Sequence, residues 1–464
     1  MDAQKDLRAA WDDLIADLQR ARDAIDQPEL MPAPPNDRNL AEGYRYLLGF
    51  AHSAIERAFH HDPRFPSFRN ALSILTKATI DNADAIYFFA PIDGRESYVV
   101  RGQVGDHRHW RGDAPAKSGR LAPQYLIFEL NDGPLAGDSG SLAELRPGVK
   151  VQMDRIDSSK LEVAADGRFE ILIAPERPAG HTGNYICSHK RVSRPPPDEP
   201  NGSLDRYACW VSGRQLFYDW EREDPTHLSI ARIGAEREHP PAFTPELAAA
   251  QLRQMGSLVR GQMHFWNEFY TVLLEVYGKR PGGHPSRPGE RFMPRNAFNQ
   301  PNAASGATGG GQSTNIYAGG VFELEPDEAL IIESRIPVPP QYIGFHLGNL
   351  WGESLDYANH QTSLNGQQVE RDPDGVLRYV VAHRDPGVPN WLDTTGHREG
   401  FLTPRWAYSQ QPTPDQWPTI CAQKVRFDEI RVHLPADVRT VTPAERAERI
   451  RVRQEHVQRR FRVF

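Results

Sequence analysis

The N-terminal part of the chain spaces its hydrophobic residues as helices do, and it predicts two helices. A first apolar series recurs at near-helical spacing until a proline-rich stretch ends it. Its members are Trp11, Leu14, Leu18 and Ile25. A second series predicts a helix from about Asn39 to His60 with one apolar face. Its members are Leu40, Tyr44, Leu47, Leu48, Ala51, Ile55 and Phe59. Residues 1–80 are therefore predicted to form an N-terminal helical region.

Residues 81–234 change to short apolar runs, which predict β-strands. Turn residues such as Asp132-Gly133 separate these runs. The clearest predicted strands are Tyr98 to Val104, Tyr125 to Leu130, Arg168 to Ala174 and Leu228 to Ile233. We interpret this region as a first β-sandwich-like unit.

A long helix is predicted next, over residues 243–280. Thr244 offers a capping hydroxyl, and Pro245 occupies the first turn, where its missing amide hydrogen costs nothing. Apolar residues then keep helical spacing as far as Val276, so we expect this helix to separate or brace the regions on either side. Residues 281–320 are rich in glycine, proline and asparagine, and they predict a loop longer than an ordinary connection.

Strands resume at Ala329, and residues 321–440 predict a second β-sandwich-like unit with a further strand within Lys424 to Val432. Thr442 to Glu445 is a capping box that begins a C-terminal helix over residues 441–464. This helix is rich in arginine, and apolar residues recur between the charges. We expect it to dock on another subunit or on the body of this chain.

The first β region is echoed in the second. Asp84 to Asp106 aligns without a gap with Asp327 to Asn349, and Asp166 to Ile186 corresponds to Asp374 to Leu392. We infer two copies of one β-rich unit. The predicted fold is mainly β with helical additions: two tandem β-sandwich or jelly-roll-like units, together with N-terminal, central and C-terminal helices.

The second copy carries a family resemblance. Leu324 to Ser334, Tyr342 to Trp351 and Arg384 to Leu392, which ends in Asn-Trp-Leu, resemble the domain of unknown function 1214 family. The resemblance covers about the last third of the chain, and it is weaker in the first copy, where Asn184-Tyr-Ile replaces Asn-Trp-Leu. It implies a β-sandwich or jelly-roll-like module, and it carries over no catalytic residues.

Composition excludes some partners. The 464 residues hold 54 Lys and Arg against 61 Asp and Glu, a net charge of −7, so no nucleic-acid partner is expected. No apolar stretch approaches the roughly 20 residues of a spanning helix, and the first residues lack the apolar core of a signal peptide. Three scattered cysteines fit a reducing compartment. We therefore expect no membrane partner and a cytoplasmic location.

The second copy holds the densest polar and aromatic cluster, and we predict a site there. A histidine beside a carboxylate can act as a general base, whereas tryptophan offers a flat surface to a ring and arginine binds a carboxylate or sulfate. The predicted catalytic residues are His346, Glu353, His383 and Asp385. The predicted ligand-binding residues are Trp351, Tyr357, Arg384, Trp391 and Arg405. Gln103 aligns with His346, and Pro175 with His383, so both histidines belong to the second copy alone.

Two alternatives remain open for these residues. In the structural interpretation, Trp391 fills a core, Asn390 holds a turn, and Arg384 and Asp385 pair on the surface. Residues that recur in both copies favour it, namely Asp166 and Asp374, Gly167 and Gly375, Asn184 and Asn390. In the metal interpretation, His346, His360 and His383 bind zinc or another divalent ion with a nearby carboxylate. The sequence identifies no other cofactor.

Three functions follow from these patterns. The first is an enzyme that handles a small cyclic or carbohydrate-like molecule by acid–base chemistry. The second is a noncatalytic binding module, favoured if a pocket is lined by tryptophan and arginine while the histidines lie elsewhere. The third is an assembly protein that forms a homo-oligomer. The sequence leaves open whether the protein is catalytic at all.

Overall fold

A computed structural model of the chain describes residues 2–26, 36–74, 76–133, 136, 139–197, 199–276, 293–304, 312 and 314–461. Its long helices are α1 (Ala3–Asp26), α2 (Asp37–Phe59), α3 (Pro245–Thr271) and α4 (Pro443–Phe461). α3 packs along α1 and α2, and it continues as one π-helical turn over Val272–Val276. Within the described part of the chain, no helix combines the length and apolarity needed to cross a bilayer.

Unit one follows α2 and consists of two large sheets and a small hairpin. Its strands are β1 (Arg69–Leu72), β2 (Ala85–Pro91), β3 (Tyr98–Gln103), β4 (Tyr125–Asn131), β5 (Gln152–Asp157), β6 (Arg168–Ala174), β7 (Asn184–Cys187), β8 (His189–Arg191), β9 (Asp205–Tyr207), β10 (Trp210–Leu216) and β11 (His227–Arg232). Sheet 1 has the order β1-β2-β10-β4-β5, sheet 2 has the order β11-β3-β6-β7, and β8 pairs with β9. Side chains of sheets 1 and 2, such as Phe128 and Ile171, share one hydrophobic core.

Unit two follows α3 and repeats this plan. Its strands are β12 (Asn315–Tyr317), β13 (Gly320–Glu323), β14 (Glu328–Arg335), β15 (Tyr342–Gly348), β16 (Ser363–Asn365), β17 (Leu377–Ala382), β18 (Trp391–Asp393), β19 (Glu399–Ala407) and β20 (Thr419–Arg426). Sheet 3 has the order β12-β19-β15-β16 with β13 also on β19, and sheet 4 has the order β18-β17-β14-β20. Phe345 and Val381 represent the core that these two sheets share. The prediction of a mainly β fold with N-terminal, central and C-terminal helices is confirmed.

Strand pairing gives the true correspondence between the units. β6 pairs with β7 in parallel as β17 pairs with β18, and β3 lies beside β6 as β14 lies beside β17. The predicted equivalence of Asp166 to Ile186 with Asp374 to Leu392 agrees with this pairing. The alignment of Asp84 to Asp106 with Asp327 to Asn349 is wrong by one strand, because it equates β3 with β15. Short apolar runs bounded by turns resemble one another, so a gap-free match can slip by a whole strand.

An asparagine side chain performs the same task in both units. Asn184 accepts a hydrogen bond from the backbone amide of Glu162 at 2.7 Å and donates to two backbone carbonyls, one of Glu162 and one in β6. Asn390 accepts from the amide of Glu370 at 2.8 Å and donates to the carbonyls of Glu370 and of a β17 residue. Each side chain fixes an irregular segment to its parallel strand pair. These contacts agree with the structural interpretation of both residues.

The buried face of α2 differs from the predicted one. Leu48, Ile55 and Tyr44 were expected on the apolar face, but they are 69%, 43% and 41% exposed. Leu47 is buried as predicted, and the other buried residues are Asn39, Glu42, Gly43, Tyr46, Phe50, Ala54 and Ala58. Gly43 explains the rotation, because a Cβ atom there would lie 2.6 Å from the ring of Trp351. Close packing on that tryptophan outweighs the burial of larger apolar residues.

Two strand predictions also need correction. The strand expected within Lys424 to Val432 ends at Arg426, and a 3-10 segment follows over Phe427–His433. β12 and β13 lie before Ala329, where strands were expected to resume. Both are short, so their alternation is too brief to recognise in the sequence. Much of the predicted 281–320 loop falls outside the described residues.

Candidate functional site

The two β units meet through the outer faces of sheets 1 and 3. Tyr125 and Ile127 of β4 pack there against Tyr342 of β15 and Ala407 of β19. Beyond this contact the outer face of sheet 1 turns toward α2 and α3. A cavity of about 240 Å³ lies between the sheet and these helices. We take this cavity, named the helix–sheet cavity, as the candidate site.

Strand alternation decides which side chains of sheet 1 reach the helix–sheet cavity. Residues at every second position of β2, β4 and β10 point away from the core of unit one. Ser212 of β10 lies opposite both Phe89 of β2 and Glu129 of β4, so these three side chains form one row of the floor. The rings of Phe89 and Trp210 meet edge to face with centroids 4.8 Å apart, and Trp266 of α3 lines the cavity from the helical side.

Charged groups also line the helix–sheet cavity. Arg214 contacts Glu129 at 3.3 Å, and its guanidinium lies 5.4 Å from the ring centroid of Tyr87. Arg57 of α2 and Lys77 complete the charged set. The described lining residues therefore include three cationic side chains and one carboxylate.

Backbone strain lies at one edge of the helix–sheet cavity. Thr79 and Ile80 have φ angles of 65° and 54°, a left-handed conformation that β-branched residues rarely adopt. The amide of Ile80 donates to the carbonyl of Gly352 at 2.8 Å, and its carbonyl accepts from Arg405 at 3.0 Å. Such strain persists where the surroundings hold the backbone, and it is concentrated at functional sites. The strained pair joins the cavity wall to a buried charge cluster.

We define the buried charge cluster as Lys77, Asp81, His346, Glu353 and Arg405. The ammonium group of Lys77 donates to two backbone carbonyls in the loop after β15, at 2.9 and 3.0 Å. Asp81 accepts from the amide and the hydroxyl of Ser354, both at 2.7 Å. Burial lowers the pKa of Lys77 and raises the pKa of Asp81, because a charged group loses its hydration there.

Four predicted site residues come together in or beside this cluster. Arg405 donates to Nε2 of His346 at 3.0 Å, so that nitrogen carries no proton. Burial, followed by the charge of Arg405, keeps the pKa of His346 well below its usual value. Glu353 accepts from Arg45 at 2.5 Å, and burial raises the pKa of its carboxyl group. The ring of Tyr357 lies 4.4 Å from the ammonium nitrogen of Lys77.

Three other predicted residues lie near the contact between unit two and α4. His383 uses both ring nitrogens, one with the hydroxyl of Thr394 at 2.7 Å and one with a backbone carbonyl at 3.1 Å. Asp385 forms an ion pair with Arg446 of α4 at 2.9 Å. Arg384 lies over the ring of Phe427, 4.0 Å from its centroid. Arg384 and Asp385 therefore have separate partners and do not pair with each other as the structural interpretation expected.

The two predicted tryptophans are buried, and each donates a hydrogen bond to a backbone carbonyl. The indole nitrogen of Trp391 donates to the carbonyl of Ala382 at 3.0 Å, and that of Trp351 donates to the carbonyl of Asn39 at 2.7 Å. Trp351 belongs to the core of the helical region. For Trp391 these contacts agree with the structural interpretation.

The predicted metal ligands have separate partners. His360 contacts Asp393 at 2.8 Å, whereas His346 contacts Arg405 and His383 contacts Thr394. Among the described residues, no three His, Cys, Asp or Glu side chains come together as a metal site would require. The three histidines therefore do not share a site.

Sequence reasoning missed the residues of the helix–sheet cavity. Trp210, Ser212 and Arg214 alternate along one strand, and this alternation of aromatic and polar residues was the available signal. Trp266 is one of the apolar residues that keep helical spacing up to Val276, and that spacing predicted the helix without indicating a site. Lys77 lies within the predicted N-terminal helical region of residues 1–80, after its second helix, and its sequence gives no sign of burial.

Comparisons with known proteins leave the function open. No protein-family model matches the chain, and no curated protein matches it. The crystal structure of an uncharacterized protein from Burkholderia cenocepacia matches with a TM-score of 0.70 and 26% identity, over 92% of this chain and 100% of that one. A protein from Vibrio parahaemolyticus matches with a TM-score of 0.40 and 10% identity, over 88% of this chain and 100% of that one. The resemblance to the domain of unknown function 1214 family stays a prediction.

Proposed function

We propose that this protein binds a small cyclic molecule with an anionic group in the helix–sheet cavity and does not transform it. The size of the cavity supports a one-ring ligand. An apolar cavity of about 150 Å³ can hold benzene, whereas this one measures about 240 Å³. The aromatic side chains of Phe89, Trp210 and Trp266 offer flat surfaces to such a ring.

The charge of the lining supports an anionic ligand. Among the described lining residues, the guanidinium groups of Arg57 and Arg214 lie with one carboxylate, that of Glu129. Lys77 also lines the cavity, but its ammonium group is bonded within the buried charge cluster. Glu129 is already held by Arg214 and by Gln152, whose amide donates to it at 2.9 Å. A ligand carboxylate in this cavity would be attracted by the two guanidinium groups, which can bind it through paired hydrogen bonds.

The positions of the histidines favour binding over catalysis, and this observation carries the proposal. No histidine is among the described lining residues, whereas two tryptophans and two arginines are. His346 is buried against Arg405, and His383 is hydrogen-bonded through both ring nitrogens. Acid–base chemistry by His346 and Glu353 is the alternative, and it would require a substrate to displace several buried contacts.

A thermal-shift titration tests the proposal, with benzoate, benzyl alcohol and glucose as probes at constant ionic strength. Benzoate is expected to stabilise the protein most, because it combines the ring with the anion. The free energy of stabilisation should grow with ligand concentration as RT ln(1 + [L]/Kd), and the melting temperature should rise with it. Chromatography of the incubated benzoate should recover it unchanged. Formation of a product would favour the enzyme hypothesis.

A cavity-filling variant locates the binding. Ser53 is a half-buried α2 residue that lines the helix–sheet cavity, so Ser53→Leu should fill the space and abolish the benzoate shift. The neighbouring His52 is exposed and outside the lining, and His52→Leu is the matched control that should keep the shift. Equal shifts in the two variants, or no shift in the unchanged protein, would contradict the proposal.

A further inference from the structure

A second and larger cavity lies between α4 and the edge of unit one. Its volume is about 750 Å³, and it is lined by Ile86 of β2, by Thr226 to Leu228 at the start of β11, and by Arg459 and Arg460 of α4. Among the described lining residues, Phe88 of the unit-one core is the only one that also lines the helix–sheet cavity. We name this space the α4 cavity. It differs from the first in the charge that it contains.

Arg460 is a buried cation from which no carboxylate or carbonyl of the described residues accepts a hydrogen bond. Only 2% of its surface is exposed, and its guanidinium lies 5.1 Å from the ring centroid of Trp220 and 5.2 Å from that of Tyr357. The Tyr357 hydroxyl lies nearby. Even so, none of the three guanidinium nitrogens makes a hydrogen bond of good geometry to another described residue. The aromatic rings attract the charge but leave its planar set of donors unused.

The carboxylates that act on Arg460 or line the α4 cavity have other partners, and Glu455 of the lining pairs with Arg451 at 2.5 Å. Asp84 is buried, and its two oxygens accept from Tyr342 at 2.6 Å and from Asn365 at 3.1 Å. Asp224 contacts Arg459 at 2.7 Å. Neither carboxylate forms an ion pair with Arg460.

Another arginine of α4 shows what a structural role requires. Arg453 is also buried, and it donates to the carbonyl and the hydroxyl of Ser363 and to the carbonyl of Tyr357 at 3.2 Å. Its hydrogen bonds offset the loss of hydration. An unpaired buried charge has no such compensation and costs stability. A bound anion would supply Arg460 with the acceptors that the described residues do not provide.

We infer that the α4 cavity binds a molecule with an oxyanion, a carboxylate or a phosphate, that pairs with the Arg460 guanidinium. The planar guanidinium fits both groups through two parallel hydrogen bonds. Thr226 supplies an independent observation, because its hydroxyl is buried, lines the same cavity and has no hydrogen-bond partner among the described residues. This hydroxyl would donate to the same anion. The inference does not depend on the function proposed for the helix–sheet cavity.

Isothermal titration of the full chain with inorganic phosphate and, separately, with hexanoate tests the inference. The chloride concentration is adjusted to keep the ionic strength constant. Saturable binding of either probe is expected, and the stronger of the two identifies the source of the oxyanion. Absence of saturable binding with both probes would overturn the inference.

Variants on α4 place the binding. Arg460→Met keeps the length of the side chain and should weaken binding by about 10- to 150-fold, since hydrogen bonds to a charged group are lost. It should also raise the melting temperature without ligand, because it removes a buried unpaired charge. Arg449→Met is the control on the same helix, since Arg449 pairs with Glu370 at 3.0 Å and neither residue is among the described lining of the α4 cavity. Binding should be unchanged in this control.

Thr226→Val keeps the inference testable if Arg460→Met does not fold. Valine has the same shape without the hydroxyl, so the fold should persist while binding weakens. Unchanged affinity in both Arg460→Met and Thr226→Val would overturn the inference. Loss of binding in Arg449→Met would do the same, because it would indicate attraction to the general charge of the helix.

Discussion

The two β units share a strand order and a core arrangement, but their outer faces differ. On unit two, Phe401 and Trp351 pack into the core of the helical region. His346 and Arg405 of sheet 3 belong to the buried charge cluster on the same face. On unit one, the outer face of sheet 1 retains the helix–sheet cavity under the same helices. The shared strand order accounts for the fold of both units. The difference between their outer faces indicates where a ligand can bind. The candidate site is therefore a property of one copy and its surroundings.

Removing the charge of Lys77 from the buried charge cluster should have the largest effect on stability. Lys77→Met would leave two backbone carbonyls without their donor and would remove one of the two cations, Lys77 and Arg405, that favour the charged form of Asp81. We expect a loss of about 3–5 kcal/mol in the free energy of unfolding, as for other broken buried pairs. Urea denaturation followed by circular dichroism measures it.

An exposed lysine in unit two provides the control. Lys424 contacts Glu328 at 2.9 Å with 43% of its side chain exposed. Lys424→Met should cost less than about 1 kcal/mol. If Lys77→Met were equally mild, the face of unit two would be no more tightly held than the surface, and the contrast between the units would fail.

Much of the fold could be predicted because local patterns determine it. In β15, Phe345 and Leu347 point into the core of unit two, while Tyr342 and His346 lie on the other face, as strand alternation requires. The start of α3 was also correct, since the Thr244 hydroxyl caps it. Such features depend on residues that are close in sequence.

The candidate site could not be predicted, because it depends on contacts between distant segments. Lys77 is buried by a loop about 280 residues away, and the α2 face is selected by Trp351. The aromatic and polar row of β10 becomes a cavity floor only when α2 and α3 pass over it. His346 and Arg405 were singled out as site residues, but their surroundings show a buried polar contact rather than a cleft.

The repeated asparagines test whether the two units are energetically alike. Asn184→Ala and Asn390→Ala each remove three hydrogen bonds to backbone groups. Each should cost about 1–3 kcal/mol, because buried backbone groups lose their partners. Urea denaturation of both variants should give similar losses. A marked difference would show that the shared geometry contributes unequally to the two units.

Acid titration should give the smallest effect and distinguishes the faces further. Because burial lowers the pKa of His346 in the folded state, the ring stays neutral there while the unfolded chain binds a proton below about pH 6.5. The free energy of unfolding should therefore fall as the pH decreases from about 6.5, by up to about 1.4 kcal/mol per pH unit for this group. His346→Gln removes the titrating ring, so its stability should depend less steeply on pH.

A second buried histidine tests the assignment of this slope. His456 of α4 stacks on Trp220 with ring centroids 5.0 Å apart, and burial keeps its pKa well below the usual value. His456→Asn should flatten the pH dependence by a similar amount, and the double variant should flatten it by the sum, since the two sites have no common hydrogen-bond partner. If only His456→Asn changed the slope, the acid sensitivity would belong to the α4 contact. The face of unit two would then be open enough to accept a proton without unfolding, and the contrast with unit one would weaken.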